Sequence, residues 1–525
     1  MSIHSAPDRC DLLIRGGHVI DGTGAKSFAG DVAVTADRID AIGDLKNTHA
    51  EEVIDARGHV VAPGFIDVHT HDDHLLLTNS EVTPKLSQGV TTVVVGNCGV
   101  SLAPWSADRP PPPPMDLIGS EQDYRFPTFE SYRLALEQKP AAINAAPLVG
   151  HSTLRCSTMD NLDRPARHEE IENMRAQLRS SLQAGAIGFS TGLAYAPNRA
   201  ATPDEVAALA GELREFSGIY ATHMRDEGDQ LFSALEESFV TARRAGCPVV
   251  LSHHKCASPK MWGRSAESLA RIDAAAEQQL IGLDVYPYTA GSTILMEDHI
   301  EASKRIMVTW STTVPEARGR DLADLAVDWD CSLVEAMRRL QPGGGIYFMM
   351  EDDDVERILT HPKSMIGSDG LPHDEHPHPR LWGTFPRVLG HYARERQLFT
   401  LEQALHKMTG LSAKTFHLAD RGVLQASAFA DIVVFDPDLI ADRGTFEEPE
   451  QTAAGIHTVL VNGTIAWQRG IGTGSRTGRI LKNPKTAGAA PLVGTARALT
   501  DAQFFRLHNH YAAGNNQCRS AEHRQ

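Results

Sequence analysis

The sequence predicts an α/β chain organised around an eight-stranded (β/α)8 barrel, on three observations. Eight short apolar, β-branched runs alternate with amphipathic helical stretches, the pattern of βα units around a parallel sheet. Glycine-punctuated strand runs at both chain ends read as one further β unit. About sixty residues between the seventh and eighth runs exceed a βα connection and mark an insertion.

Taken in order, DLLIRGGHVI (11–20) places Gly16 and Gly17 between two apolar runs, and EEVIDARGHVVAPG (51–64) repeats the pattern. These predict a small antiparallel unit. FADIVVFDPD (429–438) and HTVLVNGTIAWQ (457–468) read alike, the second with Asn462 and Gly463 as a type I′ hairpin turn. Residues 8–61 and 423–482 are therefore expected to form one small β-sandwich-like domain from both ends of the chain.

The TIM-like barrel is expected over 62–422, its strands being APGFIDVHTH (62–71), TTVVVGN (91–97), INAAPLVGH (143–151), AIGFSTG (186–192), GIYATHM (218–224), PVVLSHH (248–254), LIGLDVY (280–286) and SMIGSDG (364–370). Thr202, Pro203 and Glu205 predict a capping box with proline at its first helical position, and Thr400 with Gln403 predicts another. Gly218 and Gly246 are placed to stop helices. The proline run 110–114 reads as a stiff loop, 287–350 as a largely helical inserted subdomain over the barrel mouth, and 485–525 as a weakly ordered tail.

Across 525 residues, charged side chains make up 22 % and hydrophobic ones 42 %, an ordinary globular composition. The net charge of −17 repels phosphate backbones and anionic lipid, so neither nucleic acid nor a membrane surface is an expected partner. Seven scattered cysteines without a C-x-x-C spacing fit a reducing compartment, and the first residues lack an apolar secretory core; a cytoplasmic location is the expectation.

In this fold, functional residues lie at the C-terminal ends of the barrel strands. His69 and His71 end the first run as H-x-H, on one face of a strand. The other strand ends supply Cys98, His223, His253 and Asp369. Singly, each has a plain structural reading, a buried thiol or a packed histidine. Six metal-competent side chains at the ends of five such strands point to a metal centre.

The stretches PGFIDVHTH, GVTTVVVGNCG, THMRDEGD, LSHHK and GSDGLPHDEHPHPRLWGTFPRVL resemble the amidohydrolase superfamily, and within it the D-aminoacylases, over roughly residues 8–482. Many binuclear members use a carboxylated lysine on strand 4; here no lysine occurs between Lys139 and Lys255. The resemblance implies that Cys98, as thiolate, forms a tight zinc site with His223 and His253. It assigns His69, His71 and Asp369 to a second, weaker site. His254, on the opposite face from His253, is expected to pack outside the ligand set.

The resemblance further implies hydrolysis of N-acyl-D-amino acids to a carboxylate and a free D-amino acid. A metal-bound hydroxide attacks the amide carbonyl, with Asp369 as general base and then acid. Arg380, eleven residues after Asp369, is expected in the loop after strand 8 as a bidentate anchor for the substrate carboxylate. Lys255, Tyr286 and Ser292 are implied as further substrate contacts, with His151 a secondary candidate. Competing readings are a Cys98 nucleophile with His223 as base, a deacylase restricted to N-acyl-D-glutamate or D-aspartate, a cyclic-amide hydrolase, and a metal-free dihydropyrimidinase-like scaffold.

Overall fold

The eight expected runs all form strands of one parallel sheet, in chain order: Phe65–Asp67, Val90–Val95, Asn144–Gly150, Gly188–Gly192, Ile219–His223, Val249–Leu251, Ile281–Val285 and Ser364–Ile366. A bridge between Thr70 and Gly370 joins the first strand's end to the last, closing the barrel on its C-terminal side. The computed structural model describes residues 7–483, so the tail expected over 485–525 lies outside them. Valines and isoleucines on both strand faces are buried, as a sheet sandwiched between side-chain-filled barrel and outer helices requires.

The two chain ends share a nine-stranded sheet. Its long strand Arg9–Val19 runs antiparallel to Phe28–Thr35 but parallel to His49–Asp55 and Val60–Pro63, so the expected antiparallel unit is mixed. The sheet forks where Arg9–Val19 changes partner, and Ile14, Val32, Ile54, Ile432 and Leu460 fill a core of its own. Asn462 and Gly463 have φ of 49° and 81°, the pair of positive values a type I′ turn requires.

The insertion differs from its expected helical character. Ala290–Ile294, Gly343–Phe348 and Ile306–Ser311 form a three-stranded antiparallel sheet, accompanied by helices Leu322–Asp328 and Leu333–Arg339. The central strand opens on three glycines, which have little strand propensity but allow close approach. A Cβ on Gly344 would stand 2.4 Å from both Thr309 Oγ1 and Trp310 Nε1.

Helix ends mostly follow their sequence signals. Thr400 and Gln403 form a full capping box, and Gly246 stops its helix in the left-handed conformation. Thr202 caps its helix, but Glu205 turns inward to Arg155 and His151 instead of completing the box. Ser217, at φ 50°, takes the left-handed position that the sequence assigns to Gly218.

Candidate metal centre

Five of the eight barrel strands hand over one or two candidate ligands at the mouth. His69 and His71 lie just beyond the first strand, Cys98 beyond the second, His223 ends the fifth, His253 follows the sixth and Asp369 the eighth. Cys98, His253 and Asp369 have φ of 52°, 37° and 51°, a region that costs an ordinary side chain roughly 1 kcal/mol or more. The turn at Cys98 is enabled by its neighbours. Gly96 and Gly99 also have positive φ, and a Cβ on Gly96 would fall 2.3 Å from the Leu148 carbonyl. Because the sixth strand ends at Leu251, strand alternation does not aim His253; its left-handed turn does.

These turns converge their ligand atoms. His69, His71, Cys98 and Asp369 form one group and Cys98, His223 and His253 another, each with its donor atoms within 4.8 Å of one another. Cys98 belongs to both groups, where the sequence reading placed it only with His223 and His253. Its Sγ is 3.2 Å from His69 Nε2 and 3.4 Å from His253 Nε2. Asp369 Oδ1 lies 3.2 Å from His71 Nε2 and 3.4 Å from His69 Nε2. Burial alone would favour a neutral thiol, yet His69 and His253 hold Cys98 well below the usual thiol range. Against the same burial, Arg380, His253 and His69 keep Asp369 ionised. Thiolate, imidazole and carboxylate around one point form a donor set that fits zinc.

Carboxylates behind the cluster orient it. Asp284 approaches His69 Nδ1 at 3.2 Å, turning Nε2 toward Cys98. Glu227 stands 2.8 Å from His253 Nδ1, 2.7 Å from Lys255 Nζ and 3.7 Å from His223 Nε2. Beneath them, buried Lys85 pairs with Asp67 at 2.8 Å and reaches Ser368 Oγ at 2.6 Å, tying the first and eighth strands together. Sequence reasoning missed these residues. Their signal was charge inside apolar strands, as in LIGLDVY and FIDVHTH, and Glu227 within the THMRDEGD run.

The expected substrate contacts divide. Ser292 lines a pocket together with His71, Cys98, Asp369 and Tyr195. Lys255 and Tyr286 border another cavity, with His253 and His254. Arg380 does not lie in a loop: it opens helix Arg380–Arg387 and is fully buried. Its Nη1 is 2.9 Å from Asp369 Oδ2, its Nη2 donates to the Ser292 carbonyl at 3.0 Å, and its guanidinium stacks 4.5 Å over Tyr286. His254 packs outside, its Nε2 2.9 Å from Ser268 Oγ, and burial pushes its pKa down to about 4. His151 is not at the centre; it pairs with Glu205 at 3.0 Å.

A family description of amidohydrolases matches residues 52–282 and 264–466. The chain is 53 % identical over 471 residues to the D-aminoacylase of Alcaligenes xylosoxydans xylosoxydans, covering 90 % of this chain and 97 % of that one. A D-aminoacylase structure, whose binuclear metal centre is described as activated by one metal and attenuated by a second, superposes with a TM-score of 0.89. Its identity is 51 %, covering 90 % of this chain and all of that one. The N-acyl-D-glutamate deacylase of Bordetella bronchiseptica, solved with zinc and a phosphonate mimic of the tetrahedral intermediate, gives 0.87 at 46 % identity, with coverages of 90 % and 100 %.

Proposed function

This chain belongs to the amidohydrolase family, and we propose from that premise that it hydrolyses N-acyl-D-amino acids in a metal-dependent reaction. The observation that carries the reading is the convergence of thiolate, imidazoles and Asp369 at one end of a closed barrel. Cys98, His223 and His253 would hold the tighter zinc, and His69, His71 and Asp369, with the shared Cys98 sulfur, a second ion. Zinc bound there would acidify a water and polarise the amide carbonyl.

The protein's own groups do the rest. Asp369, kept ionised by Arg380, accepts a proton from the attacking water and returns it to the departing nitrogen. Asp284 and Glu227 fix the imidazoles that face the centre. Lys255, Tyr286 and Ser292, with the Arg380 Nε that has no partner among the described residues, would take the substrate carboxylate. That Cys98 lies between two ligand groups favours a ligand role over a nucleophile.

The separate core of the two chain ends supports treating 8–61 with 423–482, the barrel 62–422 and the insertion 287–350 as distinct units. No helix among the described residues is long and apolar enough to cross a membrane. The six cysteines among the described residues are scattered and free, which supports a cytoplasmic location.

Asp369→Asn tests the mechanism. It should keep much of the tighter zinc while turnover at saturating substrate falls by roughly a hundredfold or more, since an amide is no base at neutral pH. Near-normal turnover would remove Asp369 from proton transfer.

A further inference from the structure

Arg380 does not hold itself in place. Two residues ahead of it, His378 is 2 % exposed and has no part in the chemistry above. The Arg380 backbone N–H donates to its Nδ1 at 2.9 Å, and its Nε2 stands 3.0 Å from the Ala290 carbonyl oxygen. A backbone N–H can only donate and a carbonyl can only accept. The two partners therefore require one form of the ring, neutral with its proton on Nε2. Burial and the charge of Arg380 hold its pKa well below the usual histidine range, in keeping with that form.

Each bond has a structural consequence. The first satisfies an N–H group that the opening turn of helix Arg380–Arg387 leaves without a helical partner, so it fixes the point from which the guanidinium extends. The second reaches the insertion. Ala290–Ile294 is an edge strand of the three-stranded sheet, laddered to Gly343–Phe348. Two of its carbonyls, two residues apart, accept from the helix start: Ala290 from His378, and Ser292 from Arg380 Nη2 at 3.0 Å. The imidazole also meets Tyr288 and Phe446 edge to face, with centroids 5.1 and 5.0 Å away, which leaves it little room to turn.

We infer that His378 is a positioning residue for Arg380, and that the edge strand of the insertion is the reference against which it works. The ring sets the backbone end of Arg380 and the Ser292 carbonyl sets the guanidinium, so one strand aligns both ends of the side chain that meets Asp369 at 2.9 Å. This inference rests on the part given to Arg380 in the deacylase reading above.

The test is a double-mutant cycle on the zinc-loaded full chain, with kcat/KM for N-acetyl-D-leucine in the unaltered protein, His378→Ala, Arg380→Ala and the double variant. His378→Ala should cost about tenfold when Arg380 is present and less than about twofold when it is absent, because a ring that acts through Arg380 then has nothing left to position. His378→Asn, whose side-chain oxygen can still accept the Arg380 N–H two residues on, should recover part of the loss. Zinc content confirms that each variant is assembled. Equal losses with and without Arg380, or a His378→Ala protein as active as the unaltered one, overturn the assignment. Failure of both His378 variants to assemble overturns it too, since the histidine would then serve the fold alone. If the unaltered protein releases no amine from N-acetyl-D-leucine, the deacylase reading itself fails, a different result.

Discussion

Asp284 binds two ligand loops at once: its carboxylate lies 3.2 Å from His69 Nδ1 and accepts the backbone N–H of His253 at 2.9 Å. One side chain on the seventh strand thus sets the ring orientation of one candidate ligand and stabilises the left-handed turn of another. Asp284→Ala should lower zinc affinity about ten- to a hundredfold by losing both contacts, measured by competition with a chelator. Asp284→Asn keeps an oxygen acceptor for His253 and should lose less. Unchanged affinity in the alanine variant would show that the barrel alone fixes the ligands.

Because Cys98 is shared, its removal should cost more metal than removal of either neighbour. Cys98→Ala is expected to lose zinc from both ligand groups, whereas His71→Ala should spare the Cys98, His223 and His253 group. Metal content of the purified variants decides this. A Cys98→Ala protein with full zinc and no turnover would restore the thiol-nucleophile reading.

Much of this was legible in the sequence, for physical reasons. Strand runs buried on both faces are continuous and apolar, so the eight were visible, and the rule that function sits at their C-terminal ends found all six ligand candidates. Turn geometry was not visible: nothing in SHHK says that His253 enters the left-handed region after a strand that ends two residues earlier. Long-range pairing was equally hidden. Arg380 reads as a free anchor in its local context, but the fold buries it against Asp369, 11 residues earlier in the chain and on the adjoining loop. Glu205 fits a capping box by spacing, yet a buried arginine and histidine outcompete the helix end for its carboxylate.

Arg380 is expected to act twice, on Asp369 and on the substrate. Arg380→Ala should lower kcat/KM on N-acyl-D-amino acids about ten- to a hundredfold, the range of a charge-assisted hydrogen bond of roughly 1.5 to 3 kcal/mol. An analogue with an amide in place of the α-carboxylate should start poor and lose less. Equal losses on both would confine Arg380 to its pairing with Asp369. Arg380→Lys should recover only part, lacking the planar fork.

Glu205 predicts a stability profile at low pH. Burial would raise its pKa, but the hydrogen bond from His151 and the charge of Arg155 bring it down to about 2. A carboxylate with a folded pKa below its unfolded value stabilises above the latter, near 4.5. That contribution fades as pH falls toward 2, and is of the order of 3 kcal/mol. Glu205→Gln should abolish this part of the acid sensitivity and, by leaving Arg155 buried without its counter-charge, lower stability at neutral pH by roughly 3 to 5 kcal/mol. Urea unfolding at pH 7 and pH 3 measures both effects.

The reaction itself is tested most directly by amine release from N-acetyl-D-leucine and N-acetyl-L-leucine, before and after chelation and after zinc is returned. Release from the D-substrate should vanish on chelation and return with about one equivalent of zinc per chain, and the L-substrate should be at least about a hundredfold poorer in kcat/KM. Hydrolysis that survives complete metal removal, or a fully metallated protein that releases amine from neither enantiomer, would contradict metal-dependent deacylation of N-acyl-D-amino acids.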